Sequence, residues 1–415
     1  MTDQSLPASP VSVAFAPGPL HGAVLAMMSW LSVMASGILS PVLPKIAAYF
    51  AGNPHLDLKV GLVATMPALA VALLALPIGH LGDRFGPRRV LLAGLLAYGV
   101  AGIAPFWMRS LDAIIVSRFV VGMGEAIAMA LSMALIAMSY AGAQRQRWLA
   151  IQVASANAVG VLTLFVGGFI GRLSWRAPFT AYAFAFVLFV LTVLFVRRPP
   201  RAATTVAGHV SLSFAELRAI FIKCTLVMVV TFSIAVLVIH MAFLYTERGV
   251  RDPGVLGLAI GGSAAGIAVG AAISGLFTQL PPRFVLCLGY GLIAGGFILV
   301  SQPLNVFATA CAGLPVGFGC GVATPVLLAA TFGEVREANM GIVSGLYTAS
   351  IFIGQFATTP VMVLFKSFTG SLSGAIMVLG LLSAVVSVVV LVTGIGTRGR
   401  PAAGAVPTTR TSGVP

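Results

Sequence analysis

Long apolar runs separated by short polar breaks dominate the chain. The runs cover about 21–48, 58–79, 88–107, 111–139, 148–171 and 178–196, then 217–246, 252–278, 282–301, 303–332, 339–366 and 371–395. Each has the ~20 apolar residues that a helix needs to cross a bilayer. The pattern predicts an all-α integral membrane protein with twelve transmembrane helices in two sets of six. Between the sets, residues 197–213 break helix through Pro199 and Pro200 and carry Arg197, Arg198 and Arg201, so they read as a linker. The expected organisation is a cytoplasmic tail over 1–20, bundles over 21–196 and 214–396, and a disordered tail over 397–415 rich in Pro, Gly and Thr.

Composition excludes a soluble domain of any size. Of 415 residues, 59% are hydrophobic and 8% charged, with a mean hydropathy of +1.05; soluble domains carry about 25% charged residues. The net charge of +14 would suggest nucleic acid in a soluble protein, but here retention of basic residues on the cytoplasmic side accounts for it. With both termini inside, 14 Lys/Arg fall on the cytoplasmic side and 8 on the other, leaving Lys223 and Arg118 at or within the membrane. The four cysteines lie in apolar runs without metal-ligand or disulfide spacing and read as packing residues. The N-terminus shows no basic region followed by a small-residue cleavage site, so the first run reads as retained.

The densest punctuation is Gly79-His80-Leu81-Gly82-Asp83-Arg84-Phe85-Gly86-Pro87-Arg88-Arg89, between the second and third runs. Three arginines and one acid between membrane-length segments predict a tight cytoplasmic turn. The stretch resembles the loop between the second and third helices of the major facilitator superfamily, whose pattern is G-x-L-a-D-r-x-G-r-r. Gly79, Leu81, Asp83, Arg84, Gly86, Arg88 and Arg89 match. The resemblance implies a secondary transporter of two six-helix bundles that works by alternating access. It also implies a gating role for Gly79, Asp83, Arg84, Gly86, Arg88 and Arg89, with Asp83 latching against the start of the eleventh helix near Asn339–Gly341. The bland reading of Asp83 is a turn salt bridge that only marks orientation.

A repeat at a shift of about 195 residues supports two pseudo-symmetric bundles. Val121-Gly122-Met123-Gly124-Glu125 in the fourth run aligns with Val316-Gly317-Phe318-Gly319-Cys320 in the tenth. Gly79 and Asp83 align with Gly275 and Gln279, where the second copy of the charged turn has lost its charges. Parallel repeats of this kind place a substrate site near the midplane between halves.

Of ten acids, only Glu125 lies well inside an apolar run, two helical turns after Arg118. An ionised residue at the helix centre costs about 2.5–3.5 kcal/mol on insertion scales, so the pair is a candidate proton-coupling site. A carboxyl there can be neutral in one access state and ionised in the other. The alternative is a structural ion pair that only orients the fourth helix. Arg118-Phe119-Val120-Val121-Gly122-Met123-Gly124 resembles the fourth-helix motif of proton-driven antiporters. The Glu after the second Gly resembles organic-anion and spinster-like branches instead. Gly167-Gly168 keeps half of the antiporter fifth-helix pattern, while Thr163-Leu164 replaces its Gly-Pro pair; Trp175-Arg176-Ala177-Pro178-Phe179 matches the usual start of the sixth helix.

Polar and large residues within the runs give further cavity candidates: Trp30, Met34, Met123, Gln152, Asn157, His240, Tyr347 and Gln355. For any one of them an interhelical hydrogen bond worth about 0.6 kcal/mol is at least as good a reading. A cavity with one acid, one base and many Met, Phe and Tyr suits a modest, partly apolar organic substrate. The expected function is proton-coupled efflux of small organic compounds in a bacterial inner membrane, by a monomer. The alternative is a proton-coupled importer or facilitator of an organic anion, with Arg118 as carboxylate anchor. No cofactor, metal or nucleic-acid partner is implied, and no nucleotide loop or paired intramembrane carboxylates point to an enzyme.

Overall fold

A computed structural model describes residues 18–75, 77–196, 213–277, 279–333, 335–336 and 339–394, without the side chains of His80 and Asp83. Twelve helices in these residues are long and apolar enough to cross a membrane. Spans one to six are Pro19–Tyr49, Leu56–Leu74, Pro87–Phe106, Leu111–Ser139, Gly142–Gly171 and Ala177–Phe195. Spans seven to twelve are Phe214–Glu247, Pro253–Phe277, Pro282–Ser301, Val306–Phe332, Met340–Thr369 and Leu372–Thr393. The N-terminal tail up to residue 17, the linker over 197–212 and the tail from 397 lie outside the described residues.

Several boundaries differ from the apolar pattern by a few residues, three of them for a clear local reason. The first span starts at Pro19, inside the expected tail, because proline is at ease in a first helical turn. The second ends at Leu74, and a separate helix Ile78–Phe85 follows with Pro77 at its N-cap. The fifth starts at Gly142, six residues early, because Arg145-Gln146-Arg147 form an exposed, solvated helical turn beyond the apolar stretch. Side chains of Asp252, Asn305 and Ser371 accept the orphan N–H groups that open spans eight, ten and twelve, and Ser213 with Glu216 forms a full capping box for span seven.

Each half buries its own apolar core. One is built on Leu25, Leu31, Leu95 and Leu135, the other on Val230, Leu256, Ile293 and Val316. The repeat governs how the helices touch. A Cβ added to Gly122 would meet Pro67 O of span two at 2.3 Å, and one on Gly317 would meet Ser263 O of span eight at 2.7 Å. Likewise Gly124 faces Gly94 O of span three at 2.6 Å and Gly319 faces Gly289 O of span nine at 2.3 Å. The two Gly-x-Gly segments thus seat the fourth and tenth spans against equivalent neighbours, with backbones close enough to exclude any side chain. Tyr98 donates to Leu31 O at 2.7 Å and Tyr290 donates to Leu226 O at 2.7 Å. The two acceptor carbonyls are repeat equivalents, and the donors sit one helical turn apart in their copies.

The first and seventh spans are both interrupted at equivalent depth. Span one passes through a 3₁₀ turn at Ser40–Val42, where Pro41 and Pro44 remove backbone donors. Span seven passes through a π-turn at Val236–His240. The Ser40 hydroxyl donates to Val238 O there, joining the two halves. Broken helices in matching positions of two repeats are the usual mark of a transporter's binding region.

Candidate functional site

A cavity of about 260 Å³ lies between the halves, walled by spans one, five, seven, eight and eleven. Among the described residues its polar lining is Ser32, Ser36, Asn157, Thr231 and Gln355; the other described lining residues are aliphatic, glycine or alanine, and none of them is ionisable. Asn157 and Gln355, two of the eight expected cavity residues, stand in its wall.

Glu125 is 2% exposed and is not itself a wall residue. Gly122 and Gly124 turn the fourth span so that Glu125 faces the first span, where Ser32 Oγ donates to Glu125 Oε1 at 2.7 Å. Glu125 Oε2 is buried without a hydrogen-bond partner among the described residues. The acid therefore reaches the cavity through one hydroxyl that belongs to both its own shell and the cavity wall.

Arg118 is fully buried but does not pair with Glu125. Its Nη2 donates to Ala101 O at 3.0 Å and Gly102 O at 3.1 Å, at the end of the third span. Its guanidinium lies over the rings of Tyr182 at 4.7 Å and Phe179 at 5.2 Å. Two turns of helix separate the charges along the axis, and the aromatic sixth span takes the guanidinium with cation–π contacts. Arg118 joins spans three, four and six; as a proton-coupling partner or carboxylate anchor it is turned the wrong way.

Other expected cavity residues hold the bundle together. Trp30 donates to Ser155 Oγ at 3.0 Å and stacks on Phe184. Gln152 Nε2 donates to Ser132 Oγ at 3.0 Å, and its backbone carbonyl accepts from Ser29 Oγ at 3.0 Å. Met34 is buried and does not line the central cavity. Met123 is exposed on the outside of the fourth span, because its neighbours already commit the inner faces to spans one, two and three. Tyr347 packs edge-on to Phe332, one helical turn before the wall residue Ile351 of span eleven. His240 lines a different cavity, beside Asp57 and Lys366.

Hydrogen bonds and ion pairs between described residues of the two halves lie level with the cavity or beyond it, away from the 79–89 turn. Ser36 and Gln355 meet at 3.3 Å, and Thr65 donates to Thr359 at 3.2 Å. Further out, Lys366 Nζ stands 2.7 Å from Asp57 Oδ2, and Arg172 Nε 2.9 Å from Asp252 Oδ1. The Arg172 hydrogen bond, helped by the Gly254 N–H, holds the Asp252 carboxyl below the usual aspartate range. Span five crosses span eight on Gly168 and Gly257: a Cβ on Gly168 would meet Pro253 O at 2.5 Å. Within this end lies a second cavity of about 240 Å³, lined by Asp57, His240, Thr246, Glu247 and Lys366 among apolar residues. At the other end the first turns of spans five and eleven are exposed, including Arg145, Arg147, Met340 and Ile342. Among the described residues, the contacts between the halves thus gather on one side of the central cavity, and exposed helix turns lie on the side of the 79–89 turn.

The described side chains of that turn make their contacts inside their own half in this conformation. Gly86 has φ of 87°, a backbone setting that glycine permits, and Pro87 then opens the third span. Gly82 lies close to Leu131 of span four. Arg88 donates to Val196 O at 2.6 Å and Val193 O at 2.9 Å, capping the C-terminal end of the sixth span. Arg84 lies over Phe85, Arg89 is exposed, and Gly79 has open space around it. The expected latch to the eleventh span rests on the Asp83 side chain, which lies outside the described residues; Arg88 is occupied elsewhere.

The sequence reading missed Ser32, Ser36 and Thr231, since lone hydroxyls in apolar runs carry no pattern. It also missed Asp57 and Asp252 as a matched pair, although their spacing equals the repeat shift. Among the described residues no group of His, Cys, Asp and Glu could hold a metal ion, and the four cysteines are free.

A family model described as Major Facilitator Superfamily matches residues 25–359. A curated relative, the class B tetracycline resistance protein of Escherichia coli, is 27% identical over 169 residues, covering 41% of this chain and 42% of that protein. The multidrug efflux protein YfmO of Bacillus subtilis is 26% identical over 166 residues, covering 40% and 41%. A probable 4-methylmuconolactone transporter of Cupriavidus pinatubonensis is 24% identical over 279 residues, covering 63% and 64%. The chain thus matches about two-fifths of the length of the first two and under two-thirds of the third. Among solved structures, a D-xylose-proton symporter superposes with a TM-score of 0.76 at 13% identity, covering 89% of this chain and 96% of that one. A bacterial homologue of the lysosomal transporter spinster, inward-facing and occupied, gives 0.69 at 15% identity, covering 91% and 95%.

Proposed function

The chain belongs to the Major Facilitator Superfamily, and we propose that within it this transporter exports small, partly apolar organic compounds in exchange for protons. The observation that carries the reading is the Ser32–Glu125 hydrogen bond, which ties a buried acid to the wall of the cavity between the halves. The acid has no ion-pair partner in the described structure, so a proton can come and go without breaking one. The tetracycline-resistance and multidrug-efflux relatives support export of this substrate class. Basic residues of the 79–89 turn and of Arg145 and Arg147 orient that end to the cytoplasm of a bacterial inner membrane. The present conformation then opens inward, and Glu125 takes or gives its proton as the halves rock about the cavity. The organic-anion reading needs a guanidinium in the cavity, and Arg118 points elsewhere.

The test is direction and coupling in everted membrane vesicles. An imposed proton gradient should drive uptake of a fluorescent organic cation such as ethidium, and E125Q should abolish that driven uptake while substrate–substrate exchange stays detectable. Undiminished driven uptake by E125Q would remove Glu125 from the mechanism.

A further inference from the structure

Ser32 occupies a singular place. It lines the central cavity, and the same oxygen is hydrogen-bonded to Glu125. Among the described residues the remaining polar lining is neutral, and the wall contains no cation. Around Glu125 the ionisable neighbours are Tyr98 on the third span, Tyr182 on the sixth and Arg118 on its own span. Each is engaged elsewhere: Tyr98 donates to Leu31 O, Tyr182 to Ala35 O, and Arg118 to Ala101 and Gly102. The first span contributes Ser32 at this level, and the second contributes Pro67 and Ala70 opposite Gly122.

We propose that Ser32 is a specificity-determining relay. It converts the protonation state of Glu125 into the hydrogen-bonding character of the cavity wall, and so selects organic cations that carry an N–H donor.

Donor and acceptor roles decide which state the wall presents. A carboxylate only accepts, so an ionised Glu125 obliges Ser32 to donate to it. The Ser32 oxygen then turns its lone pairs to the cavity, as an acceptor backed by an uncompensated negative charge. A neutral Glu125 with its proton on Oε1 donates to Ser32 instead, since Oε1 is the oxygen with a partner. The Ser32 hydrogen is then free to point into the cavity, and a substrate N–H meets another donor. In deprotonation the Ser32 proton passes to cavity water as the Glu125 proton passes to Ser32 Oγ. The net change is one proton from the carboxyl to water. Substrate and proton therefore exclude each other without touching. The relay rests on the proton-exchange reading of Glu125, and the two can fail separately.

The experiment uses the full chain in lipid nanodiscs and two probes of like shape and charge. One is 9-aminoacridinium, which carries N–H donors; the other is 10-methylacridinium, which carries none. Affinity is measured by fluorescence at low and high pH, and proton release by a pH dye in weak buffer. The wild type should favour the N–H probe by about tenfold at high pH, the worth of one good hydrogen bond. That preference should shrink at low pH, and binding should release a proton. In S32A the preference should collapse toward unity, and S32T should restore it. Should S32A not fold, the shape-matched pair S32T and S32V makes the same comparison. Retained preference in S32A or S32V, with proton release still lost in E125Q, would overturn the relay and spare the exchange reading. Proton release persisting in E125Q would overturn the exchange reading itself. Failure of both probes to bind at any pH would overturn the proposed substrate class.

Discussion

Asp57 and Asp252 stand at repeat-equivalent positions, and each reaches across to a base of the opposite half. Asp57 opens span two and pairs with Lys366 in the last turn of span eleven; Asp252 caps span eight and pairs with Arg172 just past span five. Arg172 and Lys366 are repeat equivalents to within one residue. The closed end is thus fastened twice, by two bridges related by the pseudo-symmetry of the halves.

Breaking both bridges should favour the state open at this end. All four side chains are substantially exposed, from 39% for Lys366 to 61% for Asp57, so each bridge contributes modestly and is screened by salt. D57N/D252N should shift the population of the opposite-open state a fewfold, read as spin-label distances across this end. The charge swap D57K/K366D should reverse its share of the effect. No change in the distance distribution would show that the bridges do not hold the closure.

The same bridge has a defined pH response. A carboxyl whose native pKa is depressed stabilises the paired state above its unfolded value, about 3.9 for aspartate, and loses that contribution as pH falls through the native value. Since Arg172 holds Asp252 below the usual range, this bridge stays intact from neutral pH down to mildly acidic pH. Spin-label distances at this end in an E125Q background should therefore be flat over that interval. A transition near neutrality would assign proton sensing to the outer bridges.

Arg118 should matter for folding more than for chemistry. R118A strands the carbonyls of Ala101 and Gly102 and removes the guanidinium from the rings of Tyr182 and Phe179. A loss of about 2–4 kcal/mol in stability is expected, from unmet polar groups and lost cation–π contact. Thermal unfolding in detergent should fall clearly, with R118K intermediate. Normal stability together with lost proton coupling would restore Arg118 to the mechanism.

The Gly-x-Gly contacts predict matched sensitivity in the two halves. G124V and G319V each force a side chain against a backbone carbonyl closer than 3 Å. Overpacking of this kind costs about 1–3 kcal/mol. Both variants should lower the unfolding temperature, by similar amounts if the repeat governs packing. A harmless G319V beside a damaging G124V would confine the requirement to the first copy.

Twelve spans were legible because bilayer length imposes runs of apolar residues, and the repeat was legible because Gly122/Gly124 and Gly317/Gly319 make the same close approaches. Side-chain direction was not. Arg118 and Glu125 share a helix and a spacing that permits pairing, yet tertiary neighbours decided otherwise: aromatic rings from span six drew one away, and a serine on span one met the other. Met123, between two glycines committed to helix contacts, had only the outer face left. Ser32 had no sequence signal, since one serine in an apolar run reads like any interhelical hydrogen bond.

The central claim is that the carboxyl of Glu125 loses its proton when substrate occupies the cavity beside it. Infrared difference spectroscopy reads this directly in the carboxylic C=O stretch when 9-aminoacridinium is added to the transporter. The account predicts loss of a protonated-carboxyl band in the wild type that is absent from E125Q. An unchanged wild-type band on saturating binding, or the same loss in E125Q, would contradict it.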